Sequence, residues 1–204
     1  MKKVFPYWAN ALATFILGLM TFTVQGQHYS LEQLDTVYTY TSLDEALKNP
    51  EDVIKLNLRK KKLDSIPKAV FTLTNLQSLN LEKNKIDTLP PELGQLKHLQ
   101  VLKLNKNVIR EIPEVIGELT ELKRFHIGEN MLVYVDPAVG KLASLEYWDI
   151  WSNDLIGLPN TIKELKNLKE LDMRVNAVKE EVQVEMQDWL PSAKMHFSYD
   201  CNCY

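Results

Sequence analysis

The chain of 204 residues lacks several features that other protein classes need. Its only cysteines are Cys201 and Cys203, so the sequence holds neither a disulfide framework nor a cysteine-rich zinc site. The net charge is −3, which gives no electrostatic reason to expect a nucleic-acid partner. No P-loop, G-x-S-x-G or H-E-x-x-H motif is present. We therefore expect no catalytic residue, no metal ion and no cofactor.

Long apolar runs are also scarce, with one exception at the N-terminus. Lys2 and Lys3 precede residues 11–24, which carry no charge, and Val24 and Gly26 suit a cleavage after residue 26. This layout predicts a secretory signal peptide over residues 1–26, and therefore a secreted or extracytoplasmic protein, in the periplasm or at the cell surface. The alternative is an uncleaved anchor, but a membrane span needs roughly 20 apolar residues. Once the signal is removed, we expect no membrane span.

The two cysteines at the C-terminus allow two interpretations. They are either incidental thiols in a frayed tail, or one of them, Cys201 or Cys203, forms an intermolecular disulfide in an oxidising compartment. A metal site would need more ligands than this tail offers.

The chain does contain a repeat of 23 residues, whose six copies begin at residues 53, 76, 99, 122, 145 and 168. Positions 1, 4, 6 and 11 are apolar in every copy, and the alternation of positions 4 and 6 predicts a short strand with one buried face. Position 9 is asparagine in five copies, where an amide can bond backbone groups at the end of the strand. Position 15 is proline in four copies, which predicts a bend.

The pattern L-x-x-L-x-L-x-x-N-x-L-x-x-L-P-x-x-I/L-G-x-L resembles the leucine-rich-repeat family, and in particular its secreted bacterial members. This resemblance covers residues 53–181. It implies an α/β leucine-rich-repeat solenoid, a horseshoe with a concave parallel sheet of about six repeats and helical caps. Residues 27–52 then form an N-terminal segment with a capping helix, and residues 182–204 form the C-terminal cap and tail.

Both flanks carry helix signals. A capping box from Ser42 to Glu45 predicts a short helix that ends near Pro50. Helical spacing continues from about residue 180 to 190, and residues 194–197 could then add a final edge strand. Residues 27–41 show no clear period and receive no assignment.

The resemblance also implies that repeat positions 3, 5, 7 and 8 face the concave side. At these positions lysine and arginine dominate the first three repeats, and acidic residues gather in the later ones. We expect a concave face divided in charge; the alternative is a solvated charged surface without a function.

Two aromatic residues on one strand, Tyr147 and Trp151, point outward in this scheme, where they serve no core. Aromatic and arginine residues are the usual anchors of binding surfaces, although a tolerated surface aromatic is the alternative. Trp148, at position 4, is expected in the core. The predicted partner-binding residues are Arg124, His126, Tyr147, Asp149, Trp151, Asp172 and Arg174. His126, Asp149 and Asp172 share a row, but nothing signals the further ligands that a metal site needs.

The leading interpretation is a non-enzymatic, extracytoplasmic module that binds a protein or peptide ligand on its concave face. The alternative is a cell-surface adhesive or envelope-associated module that recognises glycan or cell-wall material, with Tyr147 and Trp151 as stacking platforms. An enzyme is the weakest hypothesis, because an open sheet lacks a pocket that excludes water.

Overall fold

The computed structural model describes residues 28–198, in which successive turns of the chain stack into a solenoid. The strands are β1 Lys55–Asn57, β2 Ser78–Asn80, β3 Val101–Lys103, β4 Glu111–Ile112, β5 Arg124–His126, β6 Tyr134–Val135, β7 Tyr147–Asp149, β8 Glu170–Asp172 and β9 Lys194–His196. Seven of them form one parallel sheet in the order β1-β2-β3-β5-β7-β8-β9, while β4 and β6 pair separately. The predicted α/β solenoid with a parallel sheet is confirmed.

The strands pair in a register that places equal repeat positions side by side. Leu56 lies opposite Leu79, and Leu79 lies opposite Leu102. Each position of the repeat therefore becomes a column that runs across the sheet. The columns at positions 1, 4 and 6 are buried and form a continuous core. Trp148 takes the place of leucine in one of them, is fully buried as predicted, and stacks on Phe125 with ring centroids 6.2 Å apart.

Asparagine at position 9 ties each turn to the one before it. Asn107 accepts a hydrogen bond from Ile86 N at 3.0 Å, and its amide donates to the carbonyls of Leu81 at 3.1 Å and Leu104 at 2.8 Å. Asn84, Asn130, Asn153 and Asn176 make the same three kinds of bond at their own turns. We call this column the asparagine ladder. It satisfies backbone groups that the strands leave unpaired at the bend.

Position 8, just before the ladder, has a left-handed backbone in all six repeats. The residues are Lys60, Lys83, Lys106, Glu129, Ser152 and Val175, with φ between 52° and 63°. Left-handed backbone is sterically unfavourable for residues with a Cβ atom, so the surrounding hydrogen bonds must hold it. The bend after each strand is thus the same in every turn.

The outer side of the solenoid is built from short 3-10 helices, one per turn. They span Lys68–Thr72, Pro91–Gln95, Glu114–Glu118, Pro137–Lys141 and Asn160–Glu164. Glycine allows neighbouring ones to approach closely: a Cβ atom on Gly140 would lie 2.5 Å from the carbonyl oxygen of Thr161. In the four copies with proline at position 15, the proline directly precedes one of these 3-10 helices, which fits the predicted bend.

Both ends of the solenoid are covered. At the N-terminal side, α1 spans Leu31–Thr36, α2 spans Leu43–Ala46, and a 3-10 helix spans Pro50–Asp52. Ser42 caps α2 as predicted, although α2 ends before Pro50, which begins the 3-10 helix instead. At the other side, α3 spans Glu180–Trp189, and β9 then joins the sheet parallel to β8, which confirms the predicted edge strand.

Two regions with sequence predictions lie outside the described residues. They are the expected signal peptide at residues 1–26 and the tail with Cys201 and Cys203. Between residues 28 and 198, none of the helices combines the length and apolar character that a membrane crossing requires.

The asparagine ladder leads to a stability prediction. Replacing Asn107 with alanine leaves Ile86 N without its acceptor and removes one of the two amide donors that the Leu81 and Leu104 carbonyls each have, in a site that is only 6% exposed. We expect the free energy of unfolding to fall by about 2 kcal/mol, measured by urea denaturation. The control is Asn160→Ala, because Asn160 is exposed and its side chain makes no hydrogen bond within residues 28–198. Equal losses in the two variants would contradict a structural role for the ladder.

Candidate partner-binding site

The N-terminal segment crosses the start of the concave face, which the sequence did not predict. Ser30 and Gln33 form a capping box that begins α1. Just before it, Tyr29 N donates to Gln77 Oε1 at 2.9 Å, and Gln100 Nε2 donates to the Tyr29 carbonyl at 2.8 Å. Both glutamines are buried at position 2 of their repeats. We call residues 28–37 the N-terminal strap.

Further contacts hold the strap along the first three repeats. Leu34 is 2% exposed and packs against Ile54 and Val101 on the sheet. Lys55 Nζ donates to the Leu34 carbonyl at 3.0 Å. At its other end, His28 Nε2 lies 3.0 Å from Glu121 Oε2, across 93 residues of sequence. The strap therefore occupies part of the concave face that the repeat pattern alone leaves open.

A cavity of about 460 Å³ lies between the strap and the sheet. Leu31, Leu34 and Asp35 line it from the strap. Residues of the sheet that line it include Lys103, Arg124, His126 and Tyr147. Three of the seven predicted partner-binding residues thus face one cavity, together with residues that the sequence reasoning missed.

Some of the charged side chains around this cavity form ion pairs with other residues, and others do not. Lys169 Nζ lies 2.6 Å from Glu146 Oε2, and Glu170 Oε1 lies 2.9 Å from His196 Nε2. By contrast, the side chains of Lys103 and Arg124 have no hydrogen bond or ion pair with any residue in the part of the chain that the structure describes. These two cations are available to a ligand.

Tyr147 stands beside His126, with their ring centroids 5.1 Å apart. Burial raises the pKa of Tyr147, and the carboxylates of Asp149 and Glu170 raise it further. The phenol therefore stays protonated at neutral pH and can donate a hydrogen bond to a ligand. Its ring is partly exposed and adds apolar contact area.

Asp149 is buried, although position 5 was expected to face the open concave side. It is 6% exposed, accepts hydrogen bonds from Asn105 Nδ2 at 2.9 Å and Trp151 N at 3.3 Å, and lies 3.5 Å from His126 Nδ1. Asn105, on the turn after β3, reaches Asp149 past Gly128, which has no side chain in the way. Its carboxylate orients the residues around it, and its role toward a partner stays a prediction.

Asp172 is paired with Arg174, two residues further along the chain. Arg174 Nε donates to Asp172 Oδ1 at 2.9 Å, and Arg174 Nη2 donates to Oδ2 at 2.6 Å. Burial pushes the pKa of Asp172 up, but these hydrogen bonds outweigh it, so that the pKa lies below its usual value. The guanidinium remains largely exposed, with 58% of the side chain accessible. Arg174 can therefore contact a partner while Asp172 fixes its orientation.

The indole of Trp151 packs next to Gly128 of the preceding repeat. A Cβ atom on Gly128 would lie 2.5 Å from Trp151 Cδ1 and 2.7 Å from Nε1, so only glycine leaves room for the indole. The side chain is partly exposed. Trp151 and Arg174 thus lie on one side of the buried aspartates, and Arg124 and Tyr147 lie on the other. His126 lies beside Asp149 in the same column, and it lines the cavity together with Arg124 and Tyr147.

The seven predicted residues come together on or just after β5, β7 and β8. They offer aromatic area, the guanidinium of Arg124, which is unpaired in the described part of the chain, and side chains that hydrogen bonds hold in place, which are features of protein-binding surfaces. Within residues 28–198, no three histidine, cysteine or acidic side chains are placed to hold a metal ion. The sequence analysis did not predict the strap, although its capping box, Ser30-x-x-Gln33, can be recognised in the sequence.

Comparisons with known proteins agree with this architecture. A family model described as a leucine-rich repeat region matches residues 52–193. A leucine-rich-repeat protein from Leptospira interrogans is similar in structure, with a TM-score of 0.60 and 30% identity, over 79% of this chain and 48% of that one. The crystal structure of PEPR1–AtPEP1 is also similar, with a TM-score of 0.52 and 30% identity, over 56% of this chain and 17% of that one. No curated protein matches.

This chain therefore spans about half the length of the Leptospira protein and less than a fifth of the PEPR1 chain that it matches. The similarity extends over the repeats and their immediate flanks.

The strap yields a prediction of its own. Leu34→Ala removes the side chain that anchors α1 between Ile54 and Val101. Hydrogen exchange of the strap amides should accelerate roughly tenfold or more, while the amides of the repeats keep their protection. Glu32→Ala, on the exposed side of α1, is the matched control and should change neither. Unaltered exchange in the Leu34 variant would mean that the strap is not held by this contact.

Proposed function

Because the chain belongs to the leucine-rich-repeat family, whose fold supports protein binding, we propose that it binds a protein or peptide on its concave face. The proposed module is non-enzymatic and extracytoplasmic. The observation that carries the proposal is the placement of Tyr147 on β7 and Trp151 just after it, two partly exposed aromatics on either side of the buried Asp149. Tyrosine, tryptophan and arginine dominate the binding energy of protein interfaces.

The proposed site lies on the later strands of the sheet. The strap covers the start of the first three repeats, so the partner is proposed to lie across β5, β7 and β8. Arg124 and Lys103 would meet its acidic groups, and Tyr147 and Trp151 would meet its apolar ones. The strap itself, through Leu31 and Leu34, would form one wall of the site. The similarity to PEPR1–AtPEP1 supports a peptide or protein as the ligand class.

The proposed location depends on residues 1–26 of the sequence. Lys2 and Lys3, the uncharged apolar run and Gly26 together favour export of a bacterial, secreted protein. In such an oxidising compartment Cys201 or Cys203 could also bond a second chain.

The binding proposal predicts a large effect at Trp151. Trp151→Ala should weaken partner binding by about 2 kcal/mol or more, as loss of an interface anchor does, while thermal stability changes little. The partner would first be captured from the native host, and its affinity for each variant then measured by calorimetry. Tyr147→Ala should also weaken binding.

The controls lie on the outer surface, where Lys97 Nζ and Glu118 Oε2 pair at 2.7 Å. Lys97→Ala and Glu118→Ala should leave affinity unchanged. If these two variants lose affinity for the partner and Trp151→Ala does not, the concave-face proposal is wrong, while the assignment of the fold is unaffected.

The location proposal is tested by mass spectrometry of the exported protein. The mature chain should begin at or near Gln27, because cleavage is expected after Gly26. An intact N-terminus recovered from the membrane fraction would instead show an uncleaved anchor.

A further inference from the structure

Cations gather at the point where the first three strands of the sheet end. Lys60, Lys83 and Lys106 occupy position 8 in successive repeats, and Arg59 and Lys62 flank the first of them. The backbone N–H of each position 8 lysine bonds a carbonyl of the next turn, at 2.9 to 3.0 Å. These lysines therefore follow one another at the spacing of neighbouring strands, about 4.8 Å. We call the five residues the basic strip.

Acidic side chains neutralise only part of this strip. Arg59 Nε lies 3.6 Å from Glu82 Oε2, and Lys106 Nζ lies 2.9 Å from Glu129 Oε1. The side chains of Lys60, Lys62 and Lys83 have no ion pair or hydrogen bond with any residue between 28 and 198. Since the whole chain has a net charge of −3, this local excess does not follow from overall basicity.

The cations of the strip repel one another. Arg59 lowers the pKa of Lys83, and Lys106 lowers it further. A bound anion would reduce this repulsion between the cations. Binding of an anionic ligand would therefore lower the electrostatic energy of the strip.

Backbone geometry gives no reason for lysine at these positions. Lys60, Lys62, Lys83 and Lys106 all have φ between 57° and 63°, in the left-handed region. Glycine or asparagine would adopt this conformation at lower steric cost. The lysine side chains project from a bend that the ladder holds rigid, which presents a fixed row of charges.

We propose that the basic strip binds a linear polyanion, specifically an acidic polysaccharide, at a site separate from the cavity beside the strap. A regular row of cations suits a polymer whose anionic groups also repeat. No aromatic residue stands at positions 5 to 10 of the first three repeats, so the strip offers no ring on which nucleic-acid bases could stack, and the leucines at position 6 are buried. None of its five residues lines the cavity, so this proposal does not depend on the proposed function.

The test uses two defined probes, a sulfated heparin octasaccharide and a carboxylated galacturonate octasaccharide. Their binding would be measured by calorimetry at low and raised ionic strength. We expect binding that weakens with salt, because condensed counterions are released from a polyanion when cations bind it. The variant Lys60→Gln/Lys83→Gln/Lys106→Gln should bind at least about tenfold more weakly at low salt and show a shallower salt dependence. The preferred probe distinguishes a sulfated from a carboxylated source.

The matched control is Lys97→Gln/Lys141→Gln/Lys163→Gln, which removes the same charge from exposed lysines on the outer side. It should keep nearly full affinity. Equal loss in both variants would show that net charge alone is responsible and would overturn the proposal. Two other results would also overturn the proposal: no binding of either of the two octasaccharides, and tighter binding of a single-stranded DNA of similar length. If the triple variant does not fold, Lys83→Gln alone should weaken binding by about threefold.

Discussion

The asparagine ladder is the interaction on which the rest of this structure depends. Each strand contributes only three residues to the concave sheet, so the strand bonds alone cannot set the bend that follows. One amide per turn accepts a bond from the preceding turn and donates to both, which fixes the distance between turns and their register. The first repeat has lysine, Lys61, at this position, and the chain before it meets β1 at Tyr40, whose backbone bonds those of Lys55 and Asn57. Lys61 N and Leu63 N are satisfied by Asn84 of the second repeat.

Functional surfaces follow from this constraint, because a fixed register converts repeat positions into columns. Columns 3 and 7 bring Arg124, Tyr147, Trp151 and Arg174 into one region although they are far apart in sequence. Column 8 turns three lysines into a row at the other end of the sheet. The strap then divides the concave face, since it covers the early repeats and leaves the later ones accessible beside a cavity.

The repeat pattern was sufficient to predict the buried columns and the core position of Trp148. The parallel sheet was implied by the resemblance to the leucine-rich-repeat family, and the final edge strand was predicted from the C-terminal flank. It failed where contacts join residues outside the repeat or side chains of different columns. The strap meets the sheet across as many as 93 residues, and periodicity carries no information about such contacts. Asp149 and Asp172 were expected on the open face, but Asn105 and Arg174 cover them. Whether a side chain stays free at an exposed column depends on the length and charge of its neighbours, which a position-by-position pattern does not describe.

Native-state hydrogen exchange of five backbone amides tests the ladder most directly. Each of them is the amide whose N–H bonds an asparagine side-chain oxygen: Leu63, Ile86, Ile109, Leu132 and Leu155. If the ladder holds the turns together, these amides open only with the sheet itself, and their protection should match that of the strand amides of β3. Exchange within about tenfold of an unprotected peptide at these five positions would contradict the account, because the bends would then open independently of the strands.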